Sequence, residues 1–525
     1  MIKNFKWLLL VSLTFVACTS DDEAGINTNS SDGLPLTAGS ADFSKYVSLG
    51  NSLTAGYSDG ALFIAGQEGS YPNLLSQQFA LVGGGEFKIP FMNDNVGGLL
   101  LGGFQIQGPR LYLLQLPNGD RVPVPVTGTT TTEVSNILTG QYNNMGIPGA
   151  KSFHLIALGY GNVAGVASGA SNPYFVRFAS SPGTTVLADA VAQSPTFFSL
   201  WIGNNDVLSY ATSGGTGINQ LGNLDPATYD GNDITDPNVF ASVYSTLVNQ
   251  LTANGAKGVV ANLPYVTSVP FFTAVPTNPI PGLPAASAGQ LNLLFGGINS
   301  ALVGAGLPPR FVTLATDDGN SATIEANPLL IIDESLPNIS TQITAALTPL
   351  LGSTTAAYLG SIYGQARHAS NAVGSRDYIL LPTRGLISPP NNIQADAPAP
   401  FNTRGVSYPL QDGAVLTASE TAEVKTATDA YNATILALAN SKDLAFVDAN
   451  AALNQVANGG LVYNGYTMTS TYVTGNSFSL DGVHPSPKGY ALIANKFLEA
   501  INAKYGSNFK GVNLGQYQIL FPAML

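Results

Sequence analysis

The sequence predicts an α/β protein built on a parallel sheet flanked by helices. Short apolar runs alternate with longer amphipathic ones along the 525 residues, the pattern of strands joined by crossover helices. The apolar runs carry few polar side chains, as strands buried on both faces do. Past the N-terminus no stretch reaches the ~18 apolar residues of a membrane span.

The elements follow in chain order. "KYVSL" (45–49) reads as the first strand, and residues 71–80 as a helix. A helix is expected over 149–169, then the strand "TFFSLWI" (196–202), a helix over 237–254 and the strand "AKGVVAN" (near 257–262). In the helix 417–441, Val424, Ala427, Tyr431, Ile435 and Leu438 recur at helical spacing, and Thr417 with Glu420 makes a capping box at its start. The strand "DLAFVD" (443–448) and a helix over 487–504 close the series. Two insertions interrupt it. Residues 85–140 contain "FKIPF", "FQIQG", "RLYLLQL" and "RVPVPV", which read as β-hairpins or an irregular β layer. Residues 270–415 are rich in Pro, Gly, Ala and Asn, with strand-like "FVTLAT" and "DYILLPTRGLI" and a helix near 340–352. That is longer than a plain loop, so a subdomain or lid beside the sheet is expected. The folded domain is expected over 41–510, followed by a tail at 511–525.

Composition narrows the function. Charged residues are 10% of the chain and 57 residues are glycine, a neutral, turn-rich make-up common in exported proteins. The net charge of −12 excludes a nucleic-acid binder that works through a basic face. The N-terminus reads "MIKNFK", then the apolar "WLLLVSLTFVA", then "CTSDDE". Eleven apolar residues make a helix of ~16 Å, too short for a bilayer, so the segment reads as a signal peptide. "FVAC" resembles the lipobox of bacterial lipoproteins, with Phe15 in place of the usual leucine. Cys18 is the only cysteine, has no intrachain partner and is expected to carry the lipid. The expected order is therefore a leader over 1–18, a flexible tether over 19–40, and attachment to the outer membrane, with "SDDE" resembling a surface-export tract.

The chemistry starts at "SLGNSLTAG" (48–56), where Ser52 follows a strand at a turn. A serine there commonly caps a helix. A hydrolytic role needs a base, and the chain has only three histidines. His484 lies in "SLDGVHPSPKGYALIA", three residues after Asp481 and just before a helix that Ser486 can cap and Pro487 can start. A turn lets Asp481 meet the Nδ1–H of His484 and leaves Nε2 free, the orienter and base of a triad. Gly149 in "NNMGIPGAKS" and Asn205 in "LWIGNNDVLSYA" can offer an N–H each to a developing oxyanion. Gly149 also reads as a plain turn glycine after Pro148, and Asn204 stands beside Asn205 as an alternative donor. His154 and His368 are read as structural or surface residues. The acidic loop 225–236 lacks EF-hand spacing and reads as solvated. The stretch "VGGLLLGGF" (96–104) reads as a buried strand turn rather than an acyl pocket. No Cys/His cluster suggests a metal, and no cofactor is expected.

Taken together, "SLGNSLTAG", "GIPGA", "IGNND" and "DGVHP" resemble, in order, the four sequence blocks of the SGNH (GDSL-type) hydrolases. Asn51 departs from that family's aspartate before the serine and is expected to hold the same turn. The resemblance implies a three-layer α/β/α sandwich, flavodoxin-like, with a mostly parallel five-stranded sheet. It implies Ser52 as nucleophile, His484 as base, Asp481 as orienter, and the N–H groups of Ser52, Gly149 and Asn205 as oxyanion hole. The expected function is a monomeric lipoprotein esterase, with a short-chain ester, an acetylated glycan or a lipid as substrate. The alternatives are a non-catalytic glycan- or lipid-binding lipoprotein, or an acyltransferase.

Overall fold

Five short strands pair in register into one all-parallel sheet. In chain order they are β1 (Tyr46–Gly50), β2 (Asn144–Gly146), β3 (Phe197–Trp201), β4 (Lys257–Ala261) and β5 (Ala445–Val447). The spatial order is β2-β1-β3-β4-β5. The computed structural model describes residues 29–319 and 325–525. The leader with Cys18 lies outside the described residues. Among the described residues no helix is long and apolar enough to cross a membrane.

Helices cover both faces. Successive residues of a strand point to opposite faces, and the aromatic residues of β3 follow this. Phe197 and Trp201 face α1 (Tyr71–Ala80) and the C-terminal helix α5 (Pro487–Tyr505), where Tyr71 stacks on Phe497 at 4.6 Å and meets Trp201 edge-on. On the other face α2 (Asn205–Thr212) and α3 (Pro237–Thr252) pack on α4 (Ala418–Ser441), with Phe240 stacked on Tyr431 at 4.2 Å. The capping box of α4 forms: the Thr417 N–H donates to Glu420 Oε2 at 2.7 Å, and the Glu420 N–H donates back to the Thr417 hydroxyl. Ser486 caps α5 through the Gly489 N–H, with Pro487 at the first turn.

The expected helix over 149–169 does not form. Its place is taken by two 3-10 turns, Ser152–Ile156 and Val163–Gly165, in an irregular segment. Glycines at 159, 161, 165 and 169 weaken any helix there. Leu155 and Tyr160 are buried in the core without helical periodicity. Residues 29–40, expected within the tether, are docked: the Thr37 N–H donates to Asn508 Oδ1 at 2.8 Å, and the Ser31 N–H donates to the Asn508 carbonyl.

The first insertion forms two antiparallel hairpins, Leu99–Leu101 with Phe104–Gln107 and Leu111–Gln115 with Arg121–Pro125. "FKIPF" forms no strand. The "VGGLLLGGF" stretch is one hairpin, with Leu99 buried and Phe104 out in solvent. The C-terminal tail returns to this layer, where the buried Arg110 donates to the carbonyls of Pro522 and Ala523. The second insertion builds its own core: Phe295, Ile343, Leu347, Leu359 and Tyr363 come from the helices Ala285–Gly304, Ser340–Leu351 and Ser353–Tyr363, and Phe311 joins them from the segment after the first helix. "FVTLAT" forms no strand there, and "DYILLPTRGLI" keeps only Tyr378–Ile379 as strand before the short helix Thr383–Ile387. Arg367 fixes this subdomain to the sandwich. It pairs with Asp333 at 2.6 Å and grips both oxygens of Asp377, and Asp377 accepts the Ala418 N–H at the start of α4.

Candidate active site

The strand order reverses direction between β1 and β3, and in parallel α/β sheets the crevice beyond the strand ends at such a point receives ligands. Ser52 sits there, two residues past β1. The strand closes on Gly50, a position that admits only glycine because a Cβ there would lie 2.1 Å from the Thr54 hydroxyl and 2.5 Å from the Trp201 carbonyl. Asn51 holds the turn as expected: its Oδ1 accepts the Leu53 N–H at 3.0 Å, and its amide donates to Asn204 Oδ1 at 3.1 Å.

His484 arrives from the loop before α5. Its Nε2 lies 2.8 Å from Ser52 Oγ, and its Nδ1 lies 2.9 Å from Asp481 Oδ2. A carboxylate only accepts, so Nδ1 carries the proton and Nε2 is left to accept from the serine hydroxyl. The Tyr57 ring packs against the imidazole, centroid to centroid 4.6 Å.

Asp481 accepts five hydrogen bonds. Oδ2 takes the Gly60 N–H as well as His484 Nδ1–H. Oδ1 takes the N–H groups of Val483 and His484 and the Ser479 hydroxyl. Burial pushes its pKa up, but His484 and these donors outweigh burial and hold it down at about 2. The carboxylate is ionised throughout the neutral range.

The oxyanion candidates come from the ends of β1, β2 and β3. Gly149 has φ +81°, the left-handed region that glycine adopts without strain, and no acceptor takes its N–H among the described residues. The Ser52 N–H opens a helical turn and is likewise unpaired among the described residues. Asn205 is buried and donates one amide hydrogen to the Ala150 carbonyl at 2.9 Å, and the other has no acceptor among the described residues. That bond joins the Gly149 loop to the Asn205 corner, and the Asn51–Asn204 bond joins the same corner to the Ser52 turn.

Several supporting residues carry no local sequence signal. Asp206 is fully buried and accepts both the N–H and the hydroxyl of Ser152, at 2.8 and 2.6 Å, which anchors the Gly149 loop. Asn172 donates to the Pro148 carbonyl at 2.8 Å from the loop's other side. Asp59 is fully buried beside the triad loop. Its N–H donates to Ser479 Oγ, its Oδ1 accepts the Leu480 N–H at 2.9 Å, and its Oδ2 has no partner among the described residues. Burial pushes its pKa up to about 7.

The other two histidines lie outside this cluster. His154 Nδ1 accepts the Lys151 N–H and His368 Nδ1 accepts the Val312 N–H. Burial lowers the pKa of each to about 4. In the acidic loop, the Asp233 carboxylate accepts the N–H groups of Ile218 and Asp230, and the Asp236 carboxylate accepts those of Gly222 and Asn238. No family model matches the chain, and no curated protein or solved structure matches it either.

Proposed function

We propose that this protein is a serine hydrolase of carboxylic esters that works through an acyl-enzyme, on the pattern of the SGNH hydrolases. The observation that carries the reading is the continuous relay from Ser52 Oγ through His484 to Asp481, at 2.8 and 2.9 Å. His484 Nε2 takes the hydroxyl proton as Oγ bonds to the ester carbonyl carbon. The carbonyl oxygen becomes an oxyanion within reach of the Ser52 and Gly149 N–H groups and the second Asn205 amide hydrogen. The carbon–oxygen bond to the alcohol then breaks, and His484 returns its proton to the leaving alkoxide. Water repeats the sequence on the acyl-enzyme, losing a proton to His484 while Oγ departs and recovers it. Asp481 stays ionised and stabilises the imidazolium at each step.

The test is hydrolysis of p-nitrophenyl acetate and butyrate by the wild type and by Ser52→Ala. Turnover by the wild type with loss in a variant of unchanged thermal melt supports the reading, and equal rates overturn it. The leader reading joins this proposal: a lipid on Cys18 would hold the enzyme at the outer membrane. Incorporation of labelled palmitate that is lost in Cys18→Ala checks that part.

A further inference from the structure

An apolar pocket of about 140 Å³ opens beside Ser52. We infer that it holds the acyl chain of the substrate, with about four to eight carbons, on the scale of a ~150 Å³ apolar cavity that takes benzene. The inference rests on Ser52 being the nucleophile and adds the substrate class. Ser52, Asn205 and His484 line the pocket. The wall is mostly apolar and includes Leu53, Trp201, Val447, Ala452, Val456 and Phe497.

The wall has little to offer a sugar. The Trp201 N–H is already donated to the Asn262 carbonyl, Lys496 is paired with Glu499, the Ser477 hydroxyl faces the Gly475 carbonyl, and the Asn51 amide donates to Asn204 Oδ1 while its own Oδ1 accepts the Leu53 N–H. Sugar hydroxyls placed there would lose water without gaining partners, whereas methylenes gain from burial. The assignment to the acyl half follows from the order of events. The alcohol must leave before water attacks, while the acyl group stays on Ser52. A pocket whose wall includes the buried core residues Trp201, Val447, Val456 and Phe497 suits the group that stays.

Purified protein is assayed with p-nitrophenyl esters from acetate to dodecanoate, and with acetate esters of ethanol to octanol. With increasing acyl length, kcat/KM is expected to rise about fourfold per methylene, to peak between about four and eight carbons and to fall at dodecanoate. The alcohol series is expected to stay flat. Ala452→Trp, or Ala449→Phe as a second plug, is expected to lower the hexanoate-to-acetate ratio of kcat/KM by about 30-fold or more. Acetate as the best acyl substrate, a rise confined to the alcohol series, or an unchanged ratio in both plugged variants overturns the acyl pocket while the hydrolase reading stands. Hydrolysis of no ester, with no fluorophosphonate adduct on Ser52, overturns the hydrolase reading itself.

Discussion

Ser52 Oγ and His484 Nε2 lie 2.8 Å apart although 432 positions separate them in the chain. The contact exists because β1 lies inside the sheet, while α5 packs along the sheet and delivers the loop before it to the same rim. The Asp59 turn closes the arrangement by holding Ser479 and Leu480, so Asp481 and His484 are fixed from the side of the fold that carries Ser52.

Asp481→Asn tests the orienting role. Asparagine keeps the size of the carboxylate but brings an N–H₂ where two donors now converge on Oδ2. The imidazole then loses the partner that fixes its tautomer. The expected fall in kcat is about 10⁴-fold with the fold retained, read from steady-state kinetics beside a thermal melt.

Asn205→Ala tests the oxyanion donor. The loss is expected in kcat, by about 10²- to 10³-fold, with KM little changed. A comparable rise in KM with kcat intact would assign Asn205 to ground-state binding instead.

Asp59 gives a signature in stability against pH. Its carboxyl has a pKa of about 7 in the fold, raised by burial from the ordinary 3.8. The unfolded chain therefore ionises first, and this group's contribution to stability falls as pH rises between those two values. Asp59→Asn keeps an acceptor for the Leu480 N–H and has no charge to bury. The variant is expected to melt above the wild type at pH 8 and level with it near pH 4, with thermal melts across that range as the check.

Arg367 tests the seat of the second insertion. Its guanidinium is mostly buried and satisfies two carboxylates, so Arg367→Ala leaves Asp333 and Asp377 uncompensated. The expected destabilisation is about 3–5 kcal/mol, measured by urea unfolding.

Much of the sheet was legible in the sequence because four of its strands are apolar runs buried on both faces. β2 was not, since its three residues, Asn144, Met145 and Gly146, carry a single apolar side chain. The helix expected over 149–169 failed where glycine spacing and the Asp206–Ser152 anchor outweighed apolar content. The contact of Ser52, His484 and Asp481 was legible because histidine is scarce and Asp481 is local to His484. Asp59, Asp206 and Asn172 were not, because their roles depend on partners brought in by tertiary structure. The apolar pocket was hidden for the same reason: its wall is assembled from segments as distant as Leu53, Trp201, Val447 and Phe497.

The most direct measurement is the mass of the intact protein, then of its peptides, after reaction with a fluorophosphonate. One adduct is expected, on the peptide carrying Ser52, formed by the wild type and strongly slowed in His484→Ala. No adduct on the folded wild type, or one on another residue, would contradict it.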